Sequence, residues 1–477
     1  MKKLNITYLL VLLVCISCAD FLDQQPKHEQ TLENAVQDYT GAQHVVTGMY
    51  STMETEWWGG KTFVALSCQA GMYNNGSYTQ FYNMSYKQDD FKNADGWTAW
   101  YKSLNAANAA YQSVSALAEN KFPSAERKRE MLAEIRLFRA WVHTNLLWCY
   151  SHWWAADNSP YGILYKDEVS NVANLQAARL TVGESYKKIF EDLDEAISYA
   201  PEYVSAKYLS RTMAKVLKAK ILLNRGREND YKDALTLVED VIATAPAGFK
   251  MEPDMKKVYE DAWDSPEVLW ARYLDEGNGN QSRTYKEYDY SAGLYNYRDL
   301  YPRAESWLTA DPRYKVMMDS ARGPEKFQTQ NEYVMVKLYH QGRIAGPNDK
   351  YAAYFFRYPE LLLMKAELTA RLNPADWQKA LGIVNDMRSR RTNPVLPEME
   401  ASSYEEFMDK LFQEYWIETC LENGNEWFAA LRFQKDNKPW IYTLKTDVQF
   451  SENNYCWPIP QDEIKNNQLM EQNPELK

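Results

Sequence analysis

Between residues 31 and 54 the apolar side chains fall at Leu32, Ala35, Val36, Tyr39, Ala42, Val46, Met49 and Tyr50. Positions three and four apart share one face of an α-helix, so this spacing predicts a helix with a single buried stripe. The same period runs through Trp97, Trp100, Tyr101, Leu104, Ala107 and Tyr111, and again through Met131, Ile135, Phe138, Val142 and Leu146. Thr181-Val182-Gly183-Glu184 and Ser403-Tyr404-Glu405-Glu406 have the S/T-x-x-E form, which satisfies orphan N–H groups at a helix start.

Two later stretches can be laid over each other. Residues 218–241 and 365–387 share Lys-Ala, then an aromatic (Tyr231, Trp377), then Ala-Leu (Ala234-Leu235, Ala380-Leu381) and a valine (Val238, Val384). Alanines at fixed places let two antiparallel helices approach closely, as in tetratricopeptide hairpins. Residues 186–201 read as another second helix of this kind, ended by Pro201 as Pro246 ends the one after Ala234. The expected fold is mostly α: tetratricopeptide-like hairpins, with long irregular loops at 55–96, 247–310 and 319–353 forming a second, ligand-binding side.

Length and composition sharpen this picture at four points. With 477 residues the chain has enough length for a large core. Its net charge of −11 becomes −13 once residues 1–17, with two lysines and no acid, are removed, which disfavours nucleic acid and anionic membrane surfaces. Cysteines are confined to positions 15, 18, 68, 149, 420 and 456, too sparse for a disulfide scaffold. Sixteen Trp, 35 Tyr and 16 Phe make 14% of the chain aromatic, which favours surfaces using a flat apolar face beside a polar tip.

Lys2 and Lys3 precede an apolar run from Ile6 to Ile16, too short for a bilayer core of about 30 Å, so residues 1–17 read as a signal peptide. Val14-Cys15-Ile16-Ser17-Cys18 resembles a bacterial lipoprotein box, which makes Cys18 the acylation site and the mature N-terminus. The competing readings are a redox C-x-x-C, which lacks a folded electropositive setting here, and an ordinary secretory signal.

A search for catalysis finds little. His28, His44, His143, His152 and His340 show no metal-ligand spacing, and His143 and His152 sit among Trp141, Trp148 and Trp153 as packing residues. "GNGNQS" (277–282) falls short of a phosphate loop, and no G-x-S-x-G occurs. The 65 acids leave a glycosidase carboxylate pair as an alternative. The expectation is a protein that is not an enzyme, with no cofactor and no metal site.

The positive signal lies in the loops. Residues 72–91 interleave Tyr73, Tyr78, Phe81, Tyr82 and Tyr86 with Asn74, Asn75, Gln80 and Asn83, and 284–301 carry six tyrosines, among them Tyr285, Tyr288 and Tyr290. Sugars offer apolar C–H faces and a rim of hydroxyls, and flat rings beside amides match both. Candidate ligand-binding residues are therefore Trp57, Trp58, Tyr73, Asn75, Tyr78, Tyr82, Tyr285, Tyr288 and Tyr290. The bland counterpart is that such rings pack loops onto the body.

Six ordered motifs resemble the SusD/RagB family of outer-membrane nutrient-binding lipoproteins: "CADFLDQQP" (18–26), "WTAWYKSLNAANAA" (97–110), "AEIRLFRAWVHTNLLWCYSHWW" (133–154), "RYPELLLMKAELTAR" (357–371), "ALGIVNDMRSRR" (380–391) and "WPIPQDEIKNNQLMEQNPEL" (457–476). Tyr415, Glu426 and Ala429 stand where the family pattern has Arg, Arg and Asp. The resemblance implies one SusD-like domain over 18–477, in an N-terminal part (18–246) and a C-terminal part (247–477). It further implies a non-catalytic lipoprotein on the cell-surface side of the outer membrane, lidding a TonB-dependent transporter barrel and holding an oligosaccharide, or in some members a peptide or other nutrient. The helical repeats would face the barrel and the loops the ligand.

Overall fold

The computed structural model describes residues 36–54, 57–72, 78–274, 302–320, 333–335 and 351–476. The signal segment, Cys18, Tyr73, Asn75, Tyr285, Tyr288 and Tyr290 lie outside the described residues.

The chain is mostly helical. Helix α1 (Tyr39–Ser51) starts where the Asp38 carboxylate accepts the Gly41 N–H, and it buries Ala42, Val46 and Met49 on the stripe that the spacing predicts. Then follow α2 (Gly60–Gln69), α3 (Phe91–Ala116), α4 (Ala125–Tyr150), α5 (Val182–Tyr199), α6 (Arg211–Arg225) and α7 (Asp230–Ala243). After a ribbon strand β1 (Val268–Leu274), a short pair β2 (Met318–Ser320) and β3 (Tyr333–Met335), and β4 (Tyr351–Arg357) come α8 (Tyr358–Leu372), α9 (Trp377–Ser389), α10 (Tyr404–Thr419) and α11 (Asn425–Arg432). Helices α3 to α10 pack largely in chain order, with α7 against α8 across the ribbon's insertion. None of the described helices is long and apolar enough to cross a membrane.

The Thr181 capping box forms in both directions, Thr181 N–H to Glu184 and Glu184 N–H to Thr181. At Ser403 only half of it forms: the hydroxyl caps the Glu406 N–H, but the Glu406 carboxylate turns to the N–H of Ser402. The overlaid repeats are the hairpins α6–α7 and α8–α9, and their shared alanines, Ala219, Ala234, Ala366 and Ala380, are fully buried where the helices touch. Tyr231 and Trp377 are half-buried beside them, Trp377 stacked on Phe407 at 5.9 Å. Gly226 ends α6 with φ +61°, and a Cβ there would meet the Tyr231 hydroxyl at 2.8 Å, so glycine serves both the left-handed cap and the close ring.

Much of the aromatic excess goes into the core. Trp58, Trp100, Trp141, Trp148, Trp270, Trp427 and Trp457 are all fully buried, and Trp141 meets Trp270 and Phe355 edge-on at 4.5 and 5.0 Å. Those last two contacts seat the antiparallel β1–β4 ribbon, paired from Val268↔Arg357 to Leu274↔Tyr351, on α4. Cys68, Cys149, Cys420 and Cys456 are all buried.

Candidate functional site

Strands β1 and β4 each leave the body at the Leu274↔Tyr351 end. The segment after Leu274, which carries the tyrosines of 284–301, and the segment before Tyr351 are therefore rooted at one place. The Trp57-Trp58-Gly59 turn is pressed against the same ribbon: a Cβ on Gly59 would fall 2.7 Å from the Ala353 Cβ and 3.7 Å from Arg272 Nη1. Any larger residue there would drive the turn off the ribbon. Around this root two lysines lie against aromatic rings, of which Tyr273 is half-buried and Trp57 and Trp263 are buried. Lys207 Nζ lies 4.6 Å from the Tyr273 ring and 5.1 Å from Trp263, and Lys61 Nζ lies 5.8 Å from Trp57.

Of the nine candidate residues, four are described, and all four are closed off. Trp58 is 1% exposed, packed between Trp100 and Trp141, and its indole N–H donates to Ser103 Oγ at 2.9 Å. Trp57 sits edge-on against Trp457. Tyr78 packs on Phe81, which itself abuts Trp457. Tyr82 donates its hydroxyl to both oxygens of Asp447, with Lys445 Nζ 4.0 Å from its ring. A stacking sugar needs an open ring face. Trp57 and Tyr82 instead join the N-terminal turns to the C-terminal segment, Trp58 packs on α3 and α4, and Tyr78 packs on Phe81. Burial pushes the Lys445 ammonium down to about 7, which fits a cation enclosed among the carbonyls of Cys68 and Tyr82. The other five candidates lie outside the described residues.

What holds the ribbon is a buried ion network that periodicity did not reveal. Arg357, the last residue of β4, has its Nη1 2.5 Å from Glu267 and 3.0 Å from Glu418, while its Nε donates to Glu422 at 3.0 Å. Arg391 spans Glu267 (2.6 Å) and Glu418 (2.8 Å), and Arg313 spans Glu414 (2.8 Å) and Glu418 (2.9 Å). Arg388 closes on Glu414 at 2.5 Å. Glu267 immediately precedes β1, so the network clamps the ribbon at the end opposite the loop roots. The only sequence signal for it was the Arg388-Ser389-Arg390-Arg391 run; of these, Arg390 is exposed and pairs with Asp386.

The departures from the family pattern are absorbed locally. Tyr415 lies 4.9 Å from the Arg432 guanidinium, which is itself held by Glu367 at 2.9 Å. Glu426 is fully buried and accepts from the Ser67 hydroxyl and the Leu421 N–H, and Ala429 is fully buried. His143 and His152 are packing residues, stacked on Tyr165 (4.5 Å) and Trp154 (4.8 Å), and burial pushes their imidazoles down to about 3 and about 4. Among the described residues no group of three His, Cys, Asp or Glu side chains could hold a metal ion.

Two family models match the chain: one described as starch-binding associating with outer membrane over residues 20–221, and one described as the SusD family over residues 272–475. A SusD-like protein P2 from Formosa agariphila is 24% identical, covering 99% of this chain and 100% of its own. Among solved structures, a SusD superfamily protein from Bacteroides thetaiotaomicron matches with TM-score 0.73 at 18% identity, covering 92% of this chain and 100% of its own. A structure described as a laminarin binding SusD-like protein matches with TM-score 0.68 at 16% identity, also over 92% of this chain and 100% of its own. With two matches that together take in most of the chain, and a mostly helical fold shared over 92% of it with such a structure, this protein belongs to the SusD/RagB family.

Proposed function

We propose that the protein is a non-catalytic, surface-exposed lipoprotein that captures an oligosaccharide and passes it to a TonB-dependent transporter barrel in the outer membrane. The family membership supports the outer-membrane setting and sugar binding, and one solved neighbour is described as binding laminarin. The observation that carries the reading in this chain is the common root of the segments after Leu274 and before Tyr351, beside Tyr273 and Lys207. The tyrosine-rich stretch 284–301 follows Leu274 in the sequence, and the ribbon that precedes it packs against the turn that bears Trp57 and Trp58. With those two rings and Tyr78 and Tyr82 in the core, the ligand contacts fall to Tyr73, Asn75, Tyr285, Tyr288 and Tyr290.

Calorimetry of the parent against plant, host and microbial glycans tests this. For the best-binding glycan, Tyr285→Ala, Tyr288→Ala and Tyr290→Ala are each expected to cost about 1 to 3 kcal/mol where the ring stacks, or about five- to a hundred-fold in affinity. Parent-like affinity in all three moves the site elsewhere. A parent that binds no glycan makes a peptide or another nutrient the ligand.

The lipid anchor is tested separately. Cys18→Ala is expected to move the protein from the membrane to the soluble fraction in cells lacking the transporter, because each buried acyl CH₂ is worth about 0.8 kcal/mol. Continued membrane retention of that variant would count against acylation at Cys18.

A further inference from the structure

A cleft of about 340 Å³ lies between α1, the first half of α4 and the connection that follows α5, lined by residues none of which the loop site uses. That volume is at the low end for small-ligand pockets, roughly 300–1,000 Å³. Its floor is apolar, from Val46 on α1 and Met131 on α4. One wall is the Tyr208 ring, 47% exposed and set edge-on against Tyr50 at 5.6 Å, so a flat aromatic face is presented to solvent at the cleft.

The polar groups are placed with equal economy. Glu134 is only 7% exposed yet lines the cleft; its Oε1 accepts the Tyr50 hydroxyl at 2.7 Å, and its Oε2 takes no hydrogen bond from the described residues. That oxygen is reached from the cleft, so it is free to meet a ligand hydroxyl. The Tyr50 hydroxyl is also committed on its other side, accepting the Leu209 N–H at 3.0 Å, so Glu134 is held in place. Arg127, two turns earlier on α4, gives its Nε to Tyr39 and its Nη1 to Glu130, which leaves Nη2 for a ligand. Burial pushes the Glu134 carboxyl up to about 7, against the Tyr50 hydrogen bond and the charge of Arg127.

We infer that this cleft is a second carbohydrate site, taking one neutral pyranose-sized sugar unit whose apolar face lies on Tyr208 and whose hydroxyls meet Glu134 and Arg127. The class follows from the lining. An anion would face Glu134 and a cation would face Arg127, whereas an uncharged polyhydroxy ring uses both groups and covers the apolar floor. The site does not depend on the loop site, so the two can fail separately.

Saturation-transfer NMR on the full chain in detergent, with the methyl glycosides of glucose, galactose, mannose and xylose as probes, tests it. At least one probe is expected to bind. Its Kd should rise about fivefold or more in Tyr208→Ala, which truncates a half-exposed ring, and in Glu134→Gln, which keeps the shape and the Tyr50 contact. The same Kd should be unchanged when Tyr285, Tyr288 and Tyr290 are all replaced by alanine. Absence of binding by every probe would overturn the inference, as would binding indifferent to both cleft variants or lost in the triple loop variant. Glucosamine or glucuronate outbinding every neutral glycoside by about tenfold would overturn the neutral class.

Discussion

Arg357→Met is expected to destabilise the protein by about 3 to 5 kcal/mol, the usual cost of removing one partner from a buried ion cluster. The Arg357 guanidinium is fully buried and answers Glu267, Glu418 and Glu422 at once, besides donating to the Glu418 carbonyl at 2.6 Å. Without it, Glu267 and Glu418 keep Arg391, but Glu422 loses the guanidinium 2.8 Å from it. Arg390→Met is the internal control. Its guanidinium is 42% exposed and, among the described residues, pairs with Asp386, so its loss should cost about 0.5 kcal/mol or less. The comparison is a pair of urea unfolding curves followed by far-UV circular dichroism. Equal midpoints for the two variants would mean that the buried network contributes no more than a surface pair.

The same network sets an acid limit. Burial by itself would raise the Glu418 carboxyl, yet the guanidiniums of Arg391, Arg357 and Arg313 hold it below the usual carboxylate range. A carboxylate whose folded pKa is depressed contributes stability that is present above its unfolded pKa, about 4.3, and lost as pH falls through the folded value. Arg357→Met should therefore narrow the gap to the parent as the pH drops below about 4.

How much of this was legible depended on the range of the interactions. The helices of the two overlaid hairpins announced themselves because a buried stripe at three-four spacing and an alanine at each crossing are local facts. Helix α2 did not: nearly every residue from Gly60 to Gln69 is buried, so no polar face gives it a period, and its sequence has the look of an irregular loop. The expected loop over 55–96 likewise contains the start of α3, and 247–310 contains β1. The ion network joins positions 90 and 105 residues apart, Arg357 with Glu267 and Arg313 with Glu418, and no window of sequence contains both partners.

The aromatic signal misled for a different reason. Tyr and Trp rings beside amides describe a sugar-binding surface and a polar-tipped core equally well, and composition does not say which side of a turn faces in. Trp57 and Trp58 face in because α3 and the Trp457 segment lie directly beneath them, supplying ring faces and, in Ser103, a hydroxyl for the Trp58 N–H. For Trp57, Trp58, Tyr78 and Tyr82 the sequence thus marks aromatic turns but not the side that the rings face.

Trp58→Ala is accordingly expected to act on folding, at a cost of about 3 to 5 kcal/mol for a large side chain removed from a closed core. The ring stacks at 25° on Trp141 with centroids 6.4 Å apart and touches Trp100 and Phe138, so its removal opens a cavity bounded by rigid aromatics that cannot collapse into it. The truncation also takes a donor from Ser103 Oγ, which retains the Thr52 hydroxyl at 2.8 Å and its own donation to the Ala99 carbonyl. The readouts are the urea midpoint, near-UV circular dichroism for the packed tryptophans, and glycan affinity in the fraction that remains folded. Midpoint and dichroism should fall while the affinity of the folded fraction holds. An unshifted midpoint with weakened glycan binding would place the Trp58 ring in the ligand site after all, and the turn that carries it would then have to open away from α3 on binding.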